Sequence, residues 1–183
     1  MKKCLLILLI IGFGISQVYS SDVLGIKSSS IITLTGSYSS KGGDLYEVGG
    51  SSQTMMELSA TANYFVVDKI YAGLGIGYLS SSIGDIDYSS ISIGPNVGYM
   101  FNDLSEKICP YLNVGMRIVD ADDISGTSIL LGAGAILPVS NHAGLVIEGM
   151  YHMDDMEIEG AASSDTGARI VVNIGIAGFL TLF

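Results

Sequence analysis

The sequence predicts an all-β fold, an eight-stranded antiparallel up-and-down barrel that crosses a membrane. Three observations lead to it. Apolar and polar residues alternate with a period of two in eight segments after the first 28 residues, which indicates strands with two unlike faces. Hydrophobic residues make up 49% of the chain and charged residues only 14%, yet no later apolar stretch is long enough for a spanning helix. Long and short connections alternate between the segments, as in membrane barrels.

The N-terminus predicts export. Lys2 and Lys3 precede an apolar run, Leu5–Phe13, that is too short to span a bilayer, and moderate or small residues up to Ser20 suit a signal peptidase. We therefore expect a signal peptide over residues 1–20 and a single outer-membrane β-barrel domain over 21–183. The mature part keeps one cysteine, Cys109, so an internal disulfide is not expected.

The eight predicted strands differ in clarity. The third is a clear case, because Ile70, Leu74 and Tyr78 share one face while Gly73 and Gly75 occupy the other. The second, fourth and fifth alternate as regularly, and the first, sixth, seventh and eighth are noisier. Beyond Gly178 the apolar face of the last strand becomes ambiguous, which would be explained by a bulge. The predicted strands are, in order, 29–38, 56–64, 70–78, 90–101, 110–118, 128–139, 144–153 and 168–183.

The connections predict the orientation of the barrel. Short connections are expected at 67–69, 102–107 and 140–142, and long polar loops at 39–53, 80–88, 120–127 and 154–167. Short turns face the periplasm and long loops face outward in outer-membrane barrels. An even number of strands then places both termini on the periplasmic side.

Aromatic residues predict two girdles on the outward face, at the two membrane interfaces. Tyr carries this role because Trp is absent. The expected periplasmic girdle consists of Tyr64, Tyr99, Phe101, Phe179 and Phe183, and the expected outer girdle of Tyr38, Tyr78 and Tyr151.

With these features the chain resembles the small bacterial outer-membrane β-barrel proteins of the OmpA, OmpX and opacity-protein type. The resemblance covers about residues 21–183 and is architectural. It implies a location in the outer membrane, and it implies that the C-terminal strand is read by the barrel-assembly machinery. Phe179 and Phe183 resemble that signal, whereas Thr181 departs from the hydrophobic residue usual between them.

The inward faces predict a packed polar lumen, because an eight-stranded barrel is only wide enough for side chains. Ser, Thr, Asn and Gly would fill it. Two acids and two arginines fall on these faces and would balance as an interior ion-pair network, since unpaired buried charge is costly. A gated polar path for small solutes is the functional alternative. The network residues are Glu57, Arg117, Glu148 and Arg169.

The loops are acidic, and the formal net charge of the chain is −10. This charge argues against nucleic acid as a partner. The simplest interpretation is a solvated rim. An alternative is binding of Ca²⁺ or Mg²⁺, which prefer oxygen ligands and could bridge to anionic lipopolysaccharide. Asp120, Asp122 and Asp123 are weak candidates for such a site, and no loop has a full calcium-binding spacing.

Three functions remain in view at this stage. The first is a structural or surface-interaction protein that meets host or envelope partners through its loops, without enzymatic activity or a cofactor. The second is an enzyme at the membrane rim that modifies lipid. His152, next to Asp154 and Asp155, is the residue that suggests such an enzyme. However, the sequence has no His-x-Ser arrangement on one strand face, and catalysis requires a nucleophile, a base and an acid to meet in space. The third, a soluble barrel around an apolar ligand, conflicts with the polar inward faces.

Overall fold

The computed structural model describes residues 29–41, 47–48, 51–83, 86–102, 107–121, 124–158 and 164–181. The predicted signal peptide therefore lies outside the described residues and stays a prediction. The described residues include no helix of the length and apolarity needed to cross a membrane. They form β-strands joined by turns.

The strands form one closed antiparallel sheet. Each strand pairs with its neighbour in the chain, and the sheet closes because the first strand pairs with both the third and the last. Eight strands form the wall, and the two-residue β2 is an addition at the outer end of β3. This confirms the predicted eight-stranded barrel. The strands are β1 (Ser29–Lys41), β2 (Glu47–Val48), β3 (Ser51–Val67), β4 (Ile70–Ile83), β5 (Ile86–Met100), β6 (Cys109–Ala121), β7 (Ile124–Ser140), β8 (Ala143–Ile158) and β9 (Ser164–Thr181).

Alternation along each strand produces an apolar outer surface. On β9, for example, Ile170, Val172, Ile174 and Ile176 are all more than half exposed, and similar aliphatic positions continue around the wall. A soluble monomer rarely exposes apolar patches larger than a few hundred Å². This band therefore matches the hydrocarbon region of a bilayer, which removes it from water.

The outer ends of the strands correct the predicted loops. β4 runs to Ile83 and β5 begins at Ile86, and β6 and β7 likewise leave only residues 122–123 between them. β8 and β9 enclose residues 159–163. Most of the predicted loops at 80–88, 120–127 and 154–167 are thus paired strands. Polar residues occur on both strand faces there, so the apolar–polar pattern of the membrane part is lost although side-chain direction still alternates and the backbone ladder continues.

The periplasmic ends are held by short connections. A two-residue turn, Asp68 and Lys69, joins β3 to β4, and Lys69 has a positive φ of 67°. The Met100 N–H donates to the Lys69 carbonyl at 2.8 Å, and the Phe179 N–H donates to the His142 carbonyl at 2.9 Å. These bonds fix the β3–β4 turn to the end of β5 and the β7–β8 turn to β9.

The interior corrects the prediction of a uniformly polar lumen. Its periplasmic part is a buried apolar cluster in which the Phe65 and Tyr71 rings meet edge to face, with centroids 5.7 Å apart. Buried polar side chains are concentrated in the middle and outer parts, although Ser29 is buried at the periplasmic end and Leu130 and Met150 are buried in the middle. Large residues were overlooked here because Gly and Ser dominate the inward faces by number. The cluster consists of Ile31, Phe65, Tyr71, Met100, Cys109, Tyr111, Ile136, Val146, Ala177 and Phe179.

The aromatic residues divide between the two faces. Phe179, expected in the outward girdle, is instead 3% exposed inside the barrel. β9 pairs with β1 without a register shift from Ser29 to Gly36, so no bulge turns its end outward. Phe183 lies outside the described residues. The residues that the structure places on the outer surface are Tyr38, Tyr64, Tyr78, Tyr99, Phe101 and Tyr151.

Candidate functional site: lumen and outer rim

Arg169 is the centre of the outer part of the lumen. Its Nη1 lies 2.9 Å from Glu57 Oε2, and its Nε lies 3.2 Å from Asp154 Oδ2. Its Nη2 is 3.1 Å from His152 Nδ1. The guanidinium thus joins side chains of β3 and β8 from its position on β9. Since β1 lies between β3 and β9, the bond to Glu57 spans the closing strand of the barrel.

Asp154 and His152 belong to this cluster but were not part of the predicted ion-pair network. Asp154 was assigned to a loop, but β8 continues to Ile158 and its side chains still point alternately inward and outward. Glu148 and His152 are buried and Asp154 is half-buried, at even-numbered positions of the same strand face. Extending the inward-facing series of Glu148 and His152 past Met153 would have identified Asp154 from the sequence.

Arg117 has a different role from the one expected. Its Nη1 donates to the carbonyls of Gly94, Pro95 and Met116 at 3.0–3.2 Å. Pro95 has no N–H, and the β5–β6 ladder is interrupted between Ile93 and Asn96. Arg117 therefore donates hydrogen bonds to carbonyl oxygens that the interrupted ladder leaves without a strand partner. Buried backbone carbonyls require such partners.

Glu148 lies in a third group, near the middle of the barrel. Its Oε1 accepts a hydrogen bond from Asn113 Nδ2 at 2.7 Å, and Tyr111 and Asn173 also hydrogen-bond to this carboxylate. The four charged residues thus all face the lumen, but their direct bonds do not join them into one network. Glu57 and Arg169 pair, whereas Arg117 and Glu148 bind neutral groups.

A small cavity of about 50 Å³ lies between the polar groups and the apolar cluster. Asn96 Oδ1 and Asn113 Oδ1 belong to residues that line it and have no hydrogen-bond partner. A cavity of this size holds a few water molecules, which would supply the missing bonds. Tyr71, Met100 and Ile136 line the same cavity and belong to the cluster that closes its periplasmic side.

The outer rim carries acidic side chains on the outside of the barrel wall. Asp120, Asp155 and Glu157 are exposed and line an open surface groove with a volume of about 660 Å³. Of the weak metal candidates, Asp122 and Asp123 lie outside the described residues. Within the ranges that the structure describes, no group of three or more His, Cys, Asp or Glu side chains has a metal-binding arrangement.

The histidine that invited an enzymatic interpretation points into the barrel. His152 is 4% exposed, and its Nε2 has no hydrogen-bond partner. Ser128, on the neighbouring strand, is also buried, and its Oγ is not bonded to the imidazole. These two groups do not form a nucleophile–base pair, which requires a hydrogen bond between them. His142 is exposed in the turn between β7 and β8.

Comparison with known proteins shows which solved structures have a similar fold. No family profile and no curated sequence matches the chain. Among solved structures, it is similar to Neisserial surface protein A (NspA), with a TM-score of 0.61 and 11% identity over 85% of this chain and 98% of that one. It is also similar to the outer membrane protein OprG from Pseudomonas aeruginosa, with a TM-score of 0.56 and 14% identity over 87% and 99% of the two chains.

A third similar structure is the outer membrane protein AlkL in lipid bilayers, with a TM-score of 0.53 and 15% identity over 90% of this chain and 96% of that one. These neighbours are bacterial outer-membrane barrels. Together with the apolar band and the girdles of this chain, they define its class, a small integral β-barrel of the bacterial outer membrane.

Proposed function

We propose that the protein is a structural or surface-interaction component of the outer membrane, which acts through its acidic outer rim and not through its lumen. The observation that carries the proposal is the apolar cluster at the periplasmic end. The cluster fills the barrel there with buried side chains such as Phe65, Met100 and Phe179, so the described residues leave no continuous polar path through the lumen. What the barrel presents to other molecules is its outer end.

The described part of the outer end suits this role because it consists of paired strands that carry charged side chains. Strands continue above the outer girdle, and Asp120, Asp155 and Glu157 project from them into solvent. A mostly acidic rim favours partners of complementary charge and repels polyanions. In this proposal the apolar band contacts membrane lipid, and β9 is the segment read by the barrel-assembly machinery. The rim meets a host or envelope protein, or it meets lipopolysaccharide through a bridging divalent cation.

A permeability assay separates this proposal from a narrow channel. Purified protein is reconstituted into vesicles of neutral phosphatidylcholine, and folding is checked by its faster gel migration without boiling. We expect no leak of K⁺ or small sugars above that of protein-free vesicles. A reproducible unit conductance from the folded protein in planar bilayers would contradict the proposal and favour the channel.

A second arm tests the role in cells. A strain lacking the protein is compared with its parent for detergent sensitivity and for binding to immobilised host-matrix proteins, and its lipid is analysed by mass spectrometry. We expect a change in envelope integrity or in adhesion, with unaltered lipid structure. Loss of a lipid modification in the deleted strain would instead identify a lipid-modifying enzyme.

A further inference from the structure

The surface groove near the outer rim has an apolar floor and an acidic wall. Ile91, Ile93 and Ile118 point outward along β5 and β6 and are each more than half exposed. Thr127 of β7 continues the row of Ile93 and Ile118. The floor is thus continuous with the apolar band of the barrel wall.

The groove lies at the depth of the outer membrane interface. Ile91 pairs directly with Tyr78, a residue of the outer girdle, so the floor begins at the girdle. Asp120 follows the floor residue Ile118 two positions farther outward along β6, and Asp155 and Glu157 follow Tyr151 along β8 in the same direction. The acidic wall therefore stands just above the girdle, in the region of lipid headgroups.

The charge of the groove has one sign. Asp120, Asp155 and Glu157 line it together with the hydroxyls of Ser125 and Thr127, and none of the described lining residues is basic. Carboxylates so placed repel the anionic headgroups of the outer leaflet and attract cations. A complementary ligand must therefore offer positive charge beside an apolar surface.

The spacing of the carboxylates selects a ligand with several charges. Ser125 pairs with both Asp120 and Glu157, so these two acids lie two strand spacings apart, about 10 Å between their backbones. Asp155 and Glu157 are separated by about 7 Å along β8. A single ammonium group could contact all three carboxylates only if they moved closer together, which their mutual repulsion opposes. Basic residues three or four positions apart on a helix lie about 5–6 Å from each other and match the wall better.

From this complementarity we propose that the groove binds a basic amphipathic peptide segment of a partner protein, lying in the plane of the membrane. The apolar face of the segment contacts Ile91, Ile93 and Ile118, and its Lys or Arg side chains pair with Asp120, Asp155 and Glu157. Basic amphipathic helices lie in this way at membrane interfaces, with the apolar face buried. The inference rests on the proposed surface role and names the class of partner.

A binding assay in nanodiscs of neutral phosphatidylcholine tests it. The probe is a fluorescein-labelled Leu/Lys amphipathic peptide of about 14 residues, close to four helical turns. Fluorescence anisotropy is measured at low salt against protein-containing and empty nanodiscs. We expect saturable binding only in the presence of the protein, weakened by salt.

A charge-matched pair of variants locates the site. The triple variant Asp120→Asn, Asp155→Asn, Glu157→Gln removes the acidic wall, and we expect it to weaken binding about tenfold or more. The control variant Asp68→Asn, Asp103→Asn, Glu106→Gln removes equal charge from the chain between β3 and β4 and between β5 and β6, and we expect less than about a twofold change. Both variants must keep the faster gel migration of the unboiled barrel, which shows that they are folded.

Several results would overturn the proposal. Unchanged binding by the triple variant, or equal loss in both variants, would show that the peptide responds to overall charge. Full displacement of the peptide by millimolar Mg²⁺ at constant ionic strength would identify a divalent cation as the occupant. Equal competition by dodecylamine, which carries one charge, would identify an amine lipid. The peptide-binding assay does not measure permeation through the lumen. A failure of the peptide proposal is therefore distinguishable from a failure of the permeability test.

Discussion

Replacing Arg169 by Met is the sharpest test of the lumen. The substitution keeps an unbranched apolar stem but removes the guanidinium that contacts Glu57, Asp154 and His152. Two carboxylates then remain in the outer lumen without the cation that bridges them. We expect the barrel to fold but to lose stability.

The magnitude follows from the burial of the pairs. Breaking a fully buried ion pair costs about 3–5 kcal/mol, because the remaining charge is uncompensated. The side chains here are 20%, 15% and 18% exposed for Arg169, Glu57 and Asp154, so solvent screens part of this cost. We expect a loss of about 2 kcal/mol, which is roughly a thirtyfold change in the unfolding equilibrium.

The assay is urea unfolding in phosphatidylcholine vesicles. The chain has no Trp, so the folded fraction is read from circular dichroism and from the gel mobility of unboiled samples. Glu57→Gln and the double variant Glu57→Gln, Arg169→Met complete a double-mutant cycle, whose coupling energy isolates the pair. A free energy of unfolding for Arg169→Met within about 0.5 kcal/mol of the original protein would refute the reasoning.

Three further changes probe other parts of the wall. Phe179→Ala should cost about 3–5 kcal/mol in the same urea assay, because the ring is 3% exposed in the apolar cluster; an effect below about 1 kcal/mol would contradict its burial. Gly94→Ala places a methyl group against a backbone carbonyl of β6 and should cost about 1–3 kcal/mol, whereas Gly149→Ala, which meets nothing closer than 3.9 Å, should be nearly neutral. Ile174→Arg, at a position 67% exposed on the outer surface of the barrel, should cost about 2–4 kcal/mol, and Thr166→Arg, near the outer end of the same strand, about 0–1 kcal/mol; equal costs would argue against the assigned membrane depth.

The wall of the barrel could be predicted from the sequence because a bilayer imposes a simple rule on it. Every second side chain meets lipid, so residues such as Leu74, Ile76 and Tyr78 alternate with small inward residues. The rule stops where water surrounds both faces. The serines at 80–82 therefore resembled a loop although β4 continues through them.

The pairing of charges inside the barrel could not be predicted in the same way. Alternation assigns a residue to a face but does not fix its height, which depends on the register of every strand pair around the wall. Glu57 and Arg169 are 112 residues apart, and their contact requires the closure of β1 against both β3 and β9. The partners of Arg117 were hidden for a further reason, because they are backbone carbonyls next to Pro95.

The continuation of the strands above the girdle has a thermodynamic consequence for recognition. A binding loop loses conformational entropy when a partner orders it, at about 1–2 kcal/mol for each backbone residue fixed. Asp120, Asp155 and Glu157 stand on backbone that the ladder has already ordered. A partner of this surface therefore gains its contacts without that cost. An antibody raised against the folded barrel would recognise these residues by their arrangement across strands, and it would no longer bind the protein after boiling.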